Sequence, residues 1–157
     1  MIMIKTKCRK VSIFALNISA MNRFTPVYEI MTEKVVFART RNKFSEVQQF
    51  FIQFHVHHLP VLDDHDTLVG IISSTDLIKV YEEVLSGHTF VSKDDIDHLY
   101  PIAKIMSSNP VTVSSEETLH SAAKKLNENK IQSVPVVDNN VLKGILTVRD
   151  FVANVFN

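Results

Sequence analysis

The chain has very little of several residue types, and each shortage excludes a class of protein. Of its 157 residues only Cys8 is a cysteine, so no disulfide can form within the chain. A lone cysteine fits a reducing compartment, and we therefore expect a cytoplasmic protein. There are only three glycines, which excludes a glycine-rich phosphate-binding loop.

An excess of charge of one sign is also lacking. The 17 basic residues balance the 17 acidic residues, so no bulk field attracts nucleic acid or an anionic membrane, and we expect neither as a partner. None of the motifs Gly-x-Ser-x-Gly, His-Glu-x-x-His or Cys-x-x-Cys occurs. We therefore expect no enzymatic activity, no bound metal and no required cofactor.

The beginning of the chain has no apolar run long enough to cross a membrane. Basic residues precede an apolar-leaning stretch at 11–20, an arrangement similar to a secretory signal, but polar residues interrupt it. Two interpretations stay open for residues 1–26: a signal, or a basic amphipathic extension that packs on the domain or on a partner. Met21 also offers an internal translation start.

What the chain does contain is an internal repeat. Pro60 and Pro135 lie 75 positions apart in matching apolar segments, and Asp76 and Asp150 end a second matching segment 74 positions apart. A repeat at a fixed spacing indicates two copies of one structural unit that pack together. The matching segments are residues 30–32 with 105–107, 58–63 with 133–138, and 69–76 with 143–150.

Each copy is predicted to fold as strand, helix, strand, strand, helix. In the first copy, residues 35–38 are β-prone, and an apolar stripe from Phe44 to Phe54 is typical of an amphipathic helix. Two apolar strands follow at His58–Leu62 and 68–72, and a helix begins at Asp76.

The second copy is predicted from the same signals. Residues 111–113 form the first strand, and Ser114 to Glu117 has the pattern of a capping box that starts a helix. Residues 134–137 and 142–146 are paired strands joined by a tight turn at 138–140, and residues 150–155 form the closing helix.

The predicted organisation has four parts. An acidic connector with a short helix at 94–99 separates the two copies, and Gly87 ends the helix before it. We predict the N-terminal extension at 1–26, the first repeat at 27–80, the connector at 81–100 and the second repeat at 101–157.

The ordered occurrence of these motifs in both copies resembles the CBS domain, named after cystathionine β-synthase. Two copies in tandem resemble a CBS pair, or Bateman module, and the resemblance covers residues 27–155. It implies an α/β fold of two βαββα repeats packed about a pseudo-twofold axis, and a homodimer of such pairs. It also implies that AMP, ADP or ATP binds in the clefts between repeats and that occupancy is passed to a separate effector protein.

Two segments carry the chemistry expected of such clefts. Ser73 with Asp76, and Thr147 with Asp150, lie where a strand passes into a helix N-terminus, which favours phosphate. An aspartate adds acceptor oxygens for ribose hydroxyls. The resemblance implies that the aspartate holds the ribose and that the hydroxyl residue lies near the phosphates. A plain helix N-cap is the alternative, and we favour the ligand interpretation for the second copy only.

The two copies differ just before the aspartate. The second has Arg149, which can pair with a phosphate, where the first has Thr75. The alternative is an exposed arginine in a weak surface salt bridge. We therefore predict that the second copy binds an anion more strongly.

A histidine cluster at the entry to the first apolar strand has three open interpretations. The resemblance implies that His57 and His58 occupy positions that often carry a cation facing phosphate, where the second copy has Gln132 and Ser133. Alternatively, His55 and His57 share one face of a strand and bind a transition metal. The third interpretation is a polar helix end that enters a strand.

Apolar residues near the motifs complete the predicted site. Val36 and Val111 are the expected adenine wall, because such pockets are mostly apolar. Met31 and Met106 are expected in the core. We thus predict a stand-alone regulatory CBS-pair protein that binds an adenine nucleotide. The alternatives are an interaction scaffold with vestigial clefts and a metal-responsive module.

Overall fold

The structure is a computed structural model that describes residues 24–87 and 92–155. The predictions for most of the N-terminal extension, including Cys8, the signal-like stretch and Met21, lie outside the described residues. Within the described ranges, no helix is both long and apolar enough to cross a membrane.

The first repeat is a small sheet with helices packed on it. The elements are β1 (Ala38–Arg39), α1 (Phe44–Phe54), β2 (His58–Leu62), β3 (Leu68–Ser73) and α2 (Ser74–Ser86). Strand β2 pairs in parallel with β1 and antiparallel with β3. Helix α1 buries Phe44, Val47 and Phe51 against the sheet, as the apolar stripe predicted.

The connector packs against the first repeat. Helices α3 (Lys93–Leu99) and α4 (Ile102–Ile105) follow the described part of the first repeat, and α3 confirms the short helix predicted at 94–99. Asp97 accepts hydrogen bonds from the backbone N–H and the hydroxyl of Ser45, both at 2.8 Å. Tyr100 and Ile102 are buried in the first core.

The second repeat follows the same plan. The elements are β4 (Ser107–Ser108), α5 (Leu119–Glu128), β5 (Ser133–Asp138), β6 (Val141–Thr147) and α6 (Val148–Val155). Strands β5 and β6 pair antiparallel through the turn at Asn139 and Asn140, whose φ values of 51° and 64° are those of the tight hairpin turn that was predicted. Helix α6 begins two residues earlier than predicted.

The two repeats exchange their leading segments. Ser107 of β4 pairs with Ile71 in the first repeat's sheet, and Thr32 pairs with Ile145 in the second repeat's sheet. Val27 is fully buried in the second core. Each Ile-Met-(Thr/Ser) segment therefore lies on the sheet of the other copy, and the reciprocity gives the pair its pseudo-twofold symmetry.

This exchange explains both repeated glycines. A Cβ at Gly70 would lie 2.9 Å from Met106 Cγ and closer still to its sulfur, and a Cβ at Gly144 would lie 2.7 Å from Met31 Sδ. Both methionines are half-buried against a core, as expected. Glycine is thus required because the other copy's methionine lies against the strand.

The strands predicted at 35–38 and 111–113 were too long. Only Ala38 and Arg39 pair in the first copy, and only Val113 makes a bridge in the second. The registers Ala38 with Val61 and Val113 with Val136 would place Pro60 and Pro135 next in line. A proline has no N–H to donate, so the ladder cannot extend past it.

The helix start predicted at Ser114 was wrong, and only half of its capping box forms. Glu117 Oε2 accepts from Ser114 N–H at 3.4 Å, but the Ser114 hydroxyl accepts from Glu116 N–H at 3.3 Å. Glu117 N–H donates to Ser114 O at 3.1 Å in a turn, and Glu117 O accepts from Val27 N–H at 2.9 Å. The leading segment of the first repeat, through Val27, thus holds this turn in place. Helix α5 begins after Thr118, whose Oγ1 accepts from Ser121 N–H at 3.2 Å.

Candidate functional site

The junction between β6 and α6 forms a complete capping box. Thr147 donates from its backbone N–H and from its hydroxyl to Asp150 Oδ2, both at 2.7 Å, and Asp150 N–H donates to Thr147 Oγ1 at 3.4 Å. Thr147 and Asp150 therefore do form the helix N-cap that was the alternative interpretation. The other oxygen, Asp150 Oδ1, has no hydrogen-bond partner among the described residues, so the same carboxylate can still accept from a ligand.

The junction between β3 and α2 has the same box with one addition. Ser73 N–H and Oγ donate to Asp76 Oδ2 at 2.9 and 2.6 Å, and Lys79 Nζ donates to Asp76 Oδ1 at 3.1 Å. Burial alone would raise the pKa of Asp76, but the hydrogen bonds from Ser73 and Lys79 outweigh it and lower the pKa. Both oxygens of this carboxylate are occupied, because the helix places a lysine one turn later where α6 has Ala153.

Arg149 lies exposed on the first turn of α6. It makes no ion pair or hydrogen bond within the described ranges, so the weak surface salt bridge considered above does not form there. A free guanidinium next to Asp150 is suited to pairing with a phosphate. The corresponding residue of the first copy is Thr75, which carries no charge. The structure therefore agrees with the difference between the copies that the sequence indicated.

The histidine cluster differs from the predicted strand entry. His55 ends α1 in a left-handed conformation with φ of 52°, and His57 lies before the first residue of β2. The prediction that His55 and His57 share a strand face is therefore wrong, because the chain turns sharply between helix and strand. Within the part of the chain that the structure describes, no three His, Cys, Asp or Glu side chains are grouped to hold a metal ion.

His58 is the histidine nearest the first junction. It is half-buried and lies directly across from Ser73 in the β2–β3 pair. Burial is the main cause that lowers the pKa of His58, and the charge of His57 adds to it, while Asp76 opposes both. His58 is therefore mostly neutral near pH 7 and contributes little positive charge there.

Ser133 occupies the position of His58 in the second repeat, as the repeat indicated, but it was not among the predicted site residues. It lies directly across from Thr147 and is only 4% exposed. Its hydroxyl has no hydrogen-bond partner among the described residues. The signal available in the sequence was a small polar residue aligned with a histidine beside the motif.

The structure places the two predicted wall residues apart from each other. Val36 packs on the first core and Val111 on the second, each partly buried. An open groove of about 600 Å³ lies elsewhere, along the hairpin end of the second repeat, and none of the predicted site residues lines it. Its lining is Tyr28, Met31, Glu33, Ser115, Glu116, Asp138 and Lys143.

The repeat architecture agrees with the comparison to known families. A family model for the CBS domain matches residues 27–83 and again residues 102–157. The chain belongs to the CBS domain family. Both matches contain the whole strand-to-helix junction with its capping box.

Solved CBS pairs share the fold of most of this chain. One is the CBS domain pair of protein MJ0100 in complex with 5′-methylthioadenosine and S-adenosyl-L-methionine, with a TM-score of 0.70, 28% identity, and coverage of 85% of this chain and 96% of that one. Another is CBSX2 from Arabidopsis thaliana in complex with AMP, with a TM-score of 0.69, 28% identity, and coverage of 83% and 96%.

Curated relatives are much longer proteins. The chain is 30% identical over 127 residues to L-aspartate semialdehyde sulfurtransferase of Methanocaldococcus jannaschii, covering 80% of this chain and 22% of the relative. It is 32% identical over 124 residues to inosine-5′-monophosphate dehydrogenase of Mycobacterium tuberculosis, covering 78% and 21%. The chain thus spans about a fifth of the length of these enzymes.

Proposed function

We propose that this CBS pair is a non-catalytic regulatory module that binds an adenosine compound, such as AMP, ADP or ATP, beside Thr147 and Asp150. The observation that carries the proposal is that the two oxygens of the Asp150 carboxylate have different roles. Oδ2 caps α6, while Oδ1 has no partner among the described residues. A carboxylate oxygen in this state suits the vicinal hydroxyls of a ribose.

Other groups of the second repeat support the same ligand. Arg149 supplies a free cation for a phosphate, and Val111 supplies apolar surface for a base. The CBS pairs solved with AMP, or with 5′-methylthioadenosine and S-adenosyl-L-methionine, make an adenosine compound the natural class to test.

The first repeat is proposed as the weaker cleft, formed by Ser73, Asp76, Val36, His57 and His58. A ligand there competes with Lys79 for Asp76 Oδ1. His58 adds little positive charge to attract a phosphate, because burial lowers its pKa. These differences support the proposal that the two clefts have unequal affinity.

The route of the signal is proposed to follow strand β6. Thr32 and Ile145 exchange backbone hydrogen bonds at 2.9 and 3.0 Å, two residues before Thr147. A ligand that favours one arrangement of β6 and α6 therefore also favours one position of the leading segment. The shift is limited to the ligand's differential affinity for the two arrangements.

Helix surfaces support a homodimer as part of the proposal. Ile78 and Leu85 on α2 are 55% and 78% exposed, and Val148 and Val152 on α6 are 39% and 43% exposed. Apolar side chains on one stripe of a helix favour association. Light scattering after gel filtration at micromolar concentration is expected to give twice the chain mass.

A thermal-shift panel tests the binding proposal. AMP, ADP, ATP, NAD, adenosine, 5′-methylthioadenosine and S-adenosylmethionine are each added at millimolar concentration. A ligand at about 100 times its dissociation constant adds about 2.7 kcal/mol of stability, which is a clear rise in melting temperature. The absence of any shift across the panel would leave the scaffold alternative.

A further inference from the structure

We infer that the open groove at the hairpin end of the second repeat is a docking site for the chain's own basic segment, residues 5–10. The groove has a volume of about 600 Å³ and is separate from the proposed nucleotide site, because none of the residues assigned to that site lines it. The basic segment lies outside the described residues, and its cationic side chains are Lys5, Lys7, Arg9 and Lys10.

The groove carries an excess of negative charge. Glu33, Glu116 and Asp138 contribute three carboxylates to it, whereas Lys143 is the one cation among the described residues that line it. Hydrogen bonds from Ser115 lower the pKa of Asp138, so this carboxylate is charged at neutral pH. Glu33 and Glu116 are exposed, and neither makes an ion pair with any described residue. A cationic segment would therefore meet two glutamates that no described lysine or arginine neutralises.

The first repeat supplies its own cations at the equivalent end. Arg39 donates to the backbone oxygen of Asp63 at 2.8 Å and pairs with Asp66 at 2.5 Å. Arg41 pairs with Asp64 at 2.6 Å. Two arginines thus bind the acidic hairpin turn of that copy.

The second repeat has no arginine at the equivalent positions. Ser114 and Glu116 lie 75 residues after Arg39 and Arg41, so one cation is lost and the other is replaced by an acid. The Ser114 hydroxyl donates to Asp138 at 2.9 Å, but it brings no positive charge. One copy therefore shows arginine bound at this end of the fold, and the other copy leaves the equivalent place open to a cation from elsewhere.

The shape and lining of the groove favour lysine or arginine side chains over a metal ion. Within the described part of the chain, no three His, Cys, Asp or Glu side chains are grouped closely enough to hold a metal. Tyr28 lines the groove and is 45% exposed, and the face of a tyrosine ring attracts an ammonium or guanidinium group. The first copy has Ala103 at the equivalent position, so this feature also belongs to the second repeat alone.

The described chain begins beside the groove. The backbone oxygen of Thr25 accepts from Leu119 N–H at 2.8 Å, and Tyr28 N–H donates to Ser115 O at 3.0 Å, so the first described residues run along the second repeat. Residues 11–23 connect the basic segment to this point, and an extended chain of that length spans up to about 45 Å. The basic segment can therefore reach the groove of its own chain, where tethering raises its effective concentration.

The test uses Cys8, the chain's single cysteine, which lies within the basic segment. A nitroxide attached to Cys8 of the full chain broadens the amide NMR signals of nearby residues, relative to the reduced, diamagnetic label. We expect strong broadening at Glu116 and Asp138. Their equivalents in the first repeat, Arg41 and Asp63, should be broadened much less.

The double variant Glu33→Gln with Glu116→Gln tests the charge. It should lower the ratio of docked to undocked segment by about 3-fold to 10-fold, the usual effect of losing two exposed ion pairs, and the broadening at Asp138 should fall with it. Sodium chloride at about 0.5 M should act in the same direction, because salt screens exposed charges. Glu128→Gln is the matched control: this exposed glutamate of the second repeat pairs with Lys124 and does not line the groove, so the broadening should not change.

The remaining outcomes overturn the inference. Broadening at Asp138 that persists in the double variant would mean that the connection at residues 11–23 alone keeps the segment nearby. Wild-type protein with no broadening at the groove, or with equal broadening in both repeats, would show that the segment does not dock there. Spin-labelled protein is also mixed with isotope-labelled protein that carries no nitroxide. Broadening at Asp138 in this mixture would show that the segment comes from a second copy, which contradicts docking within one chain.

Discussion

Substitution of Gly70 by alanine tests the exchange of leading segments between the repeats. The added Cβ would lie 2.9 Å from Met106 Cγ and closer to its sulfur, so the methionine or the strand has to move. The φ value of Gly70 is not positive, so alanine causes no backbone strain there. Any loss of stability in this variant therefore measures the contact with Met106 in the leading segment of the second repeat.

The magnitude follows from two opposing terms. Overpacking a well-packed site by one methyl group costs about 1–3 kcal/mol. The reduced entropy of the unfolded chain returns about 0.4–1 kcal/mol. We expect a net loss of about 1–2 kcal/mol, or roughly 2–8 °C in melting temperature at about 2–4 °C per kcal/mol for a chain of this size.

Urea unfolding of a double-mutant cycle provides the assay. Met106→Ala should remove most of the cost of Gly70→Ala, which gives a favourable coupling energy of about 1 kcal/mol or more. Gly144→Ala should be rescued less by Met31→Ala, because the backbone oxygen of Thr32 also lies 2.9 Å from the new Cβ.

Gly87→Ala is the control, since its Cβ would meet nothing closer than 3.5 Å. That variant should be as stable as wild type or slightly more stable. If Gly70→Ala costs no more than Gly87→Ala, or if Met106→Ala does not relieve it, the close contact between the copies is refuted.

Three further predictions concern stability measured by urea unfolding. Thr118→Ala should cost about 1 kcal/mol because it removes the cap of α5, whereas Thr118→Ser, which keeps the capping hydroxyl, should cost far less; equal costs would refute the corrected helix start. Asp97→Ala should cost about 2 kcal/mol through loss of both bonds to Ser45, and no loss would mean that the connector is not held there. Burial lowers the pKa of His58, so the unfolded chain binds more protons below about pH 6.5. Stability should therefore fall as the pH drops from about 6.5 toward 5, and His58→Gln should reduce that slope; an unchanged slope would contradict the pKa direction.

The sequence was sufficient for features that depend on neighbours along the chain. The stripe from Phe44 to Phe54 and the turn at Asn139 and Asn140 follow from local periodicity and backbone preference, and both are present as predicted. The lengths of the short first strands were not predicted, because the limit that Pro60 and Pro135 set depends on a strand register seen only in the structure.

Contacts between the two copies were not predictable in the same way. The repeat shows that residues 30–32 and 105–107 are equivalent, but not that each segment pairs with the sheet of the other copy. The wrong helix start at Ser114 has the same origin, because Val27 in the leading segment of the first repeat holds the turn there.

The site shows the same division. The spacing of Asp76 and Lys79 is one helical turn, so their ion pair was visible in the sequence. The unpaired hydroxyl of Ser133 required knowledge of every group that surrounds it.

The most direct test of the central claim is calorimetric titration of AMP into Asp150→Ala and Asp76→Ala. The two substitutions remove equivalent capping boxes, so their effects on folding should be similar and their effects on binding separable. We predict that Asp150→Ala weakens AMP binding at least 10-fold, about 1.4 kcal/mol, and more than Asp76→Ala does. Equal losses, or a greater loss in Asp76→Ala, would contradict the assignment of the main ligand site to the second repeat.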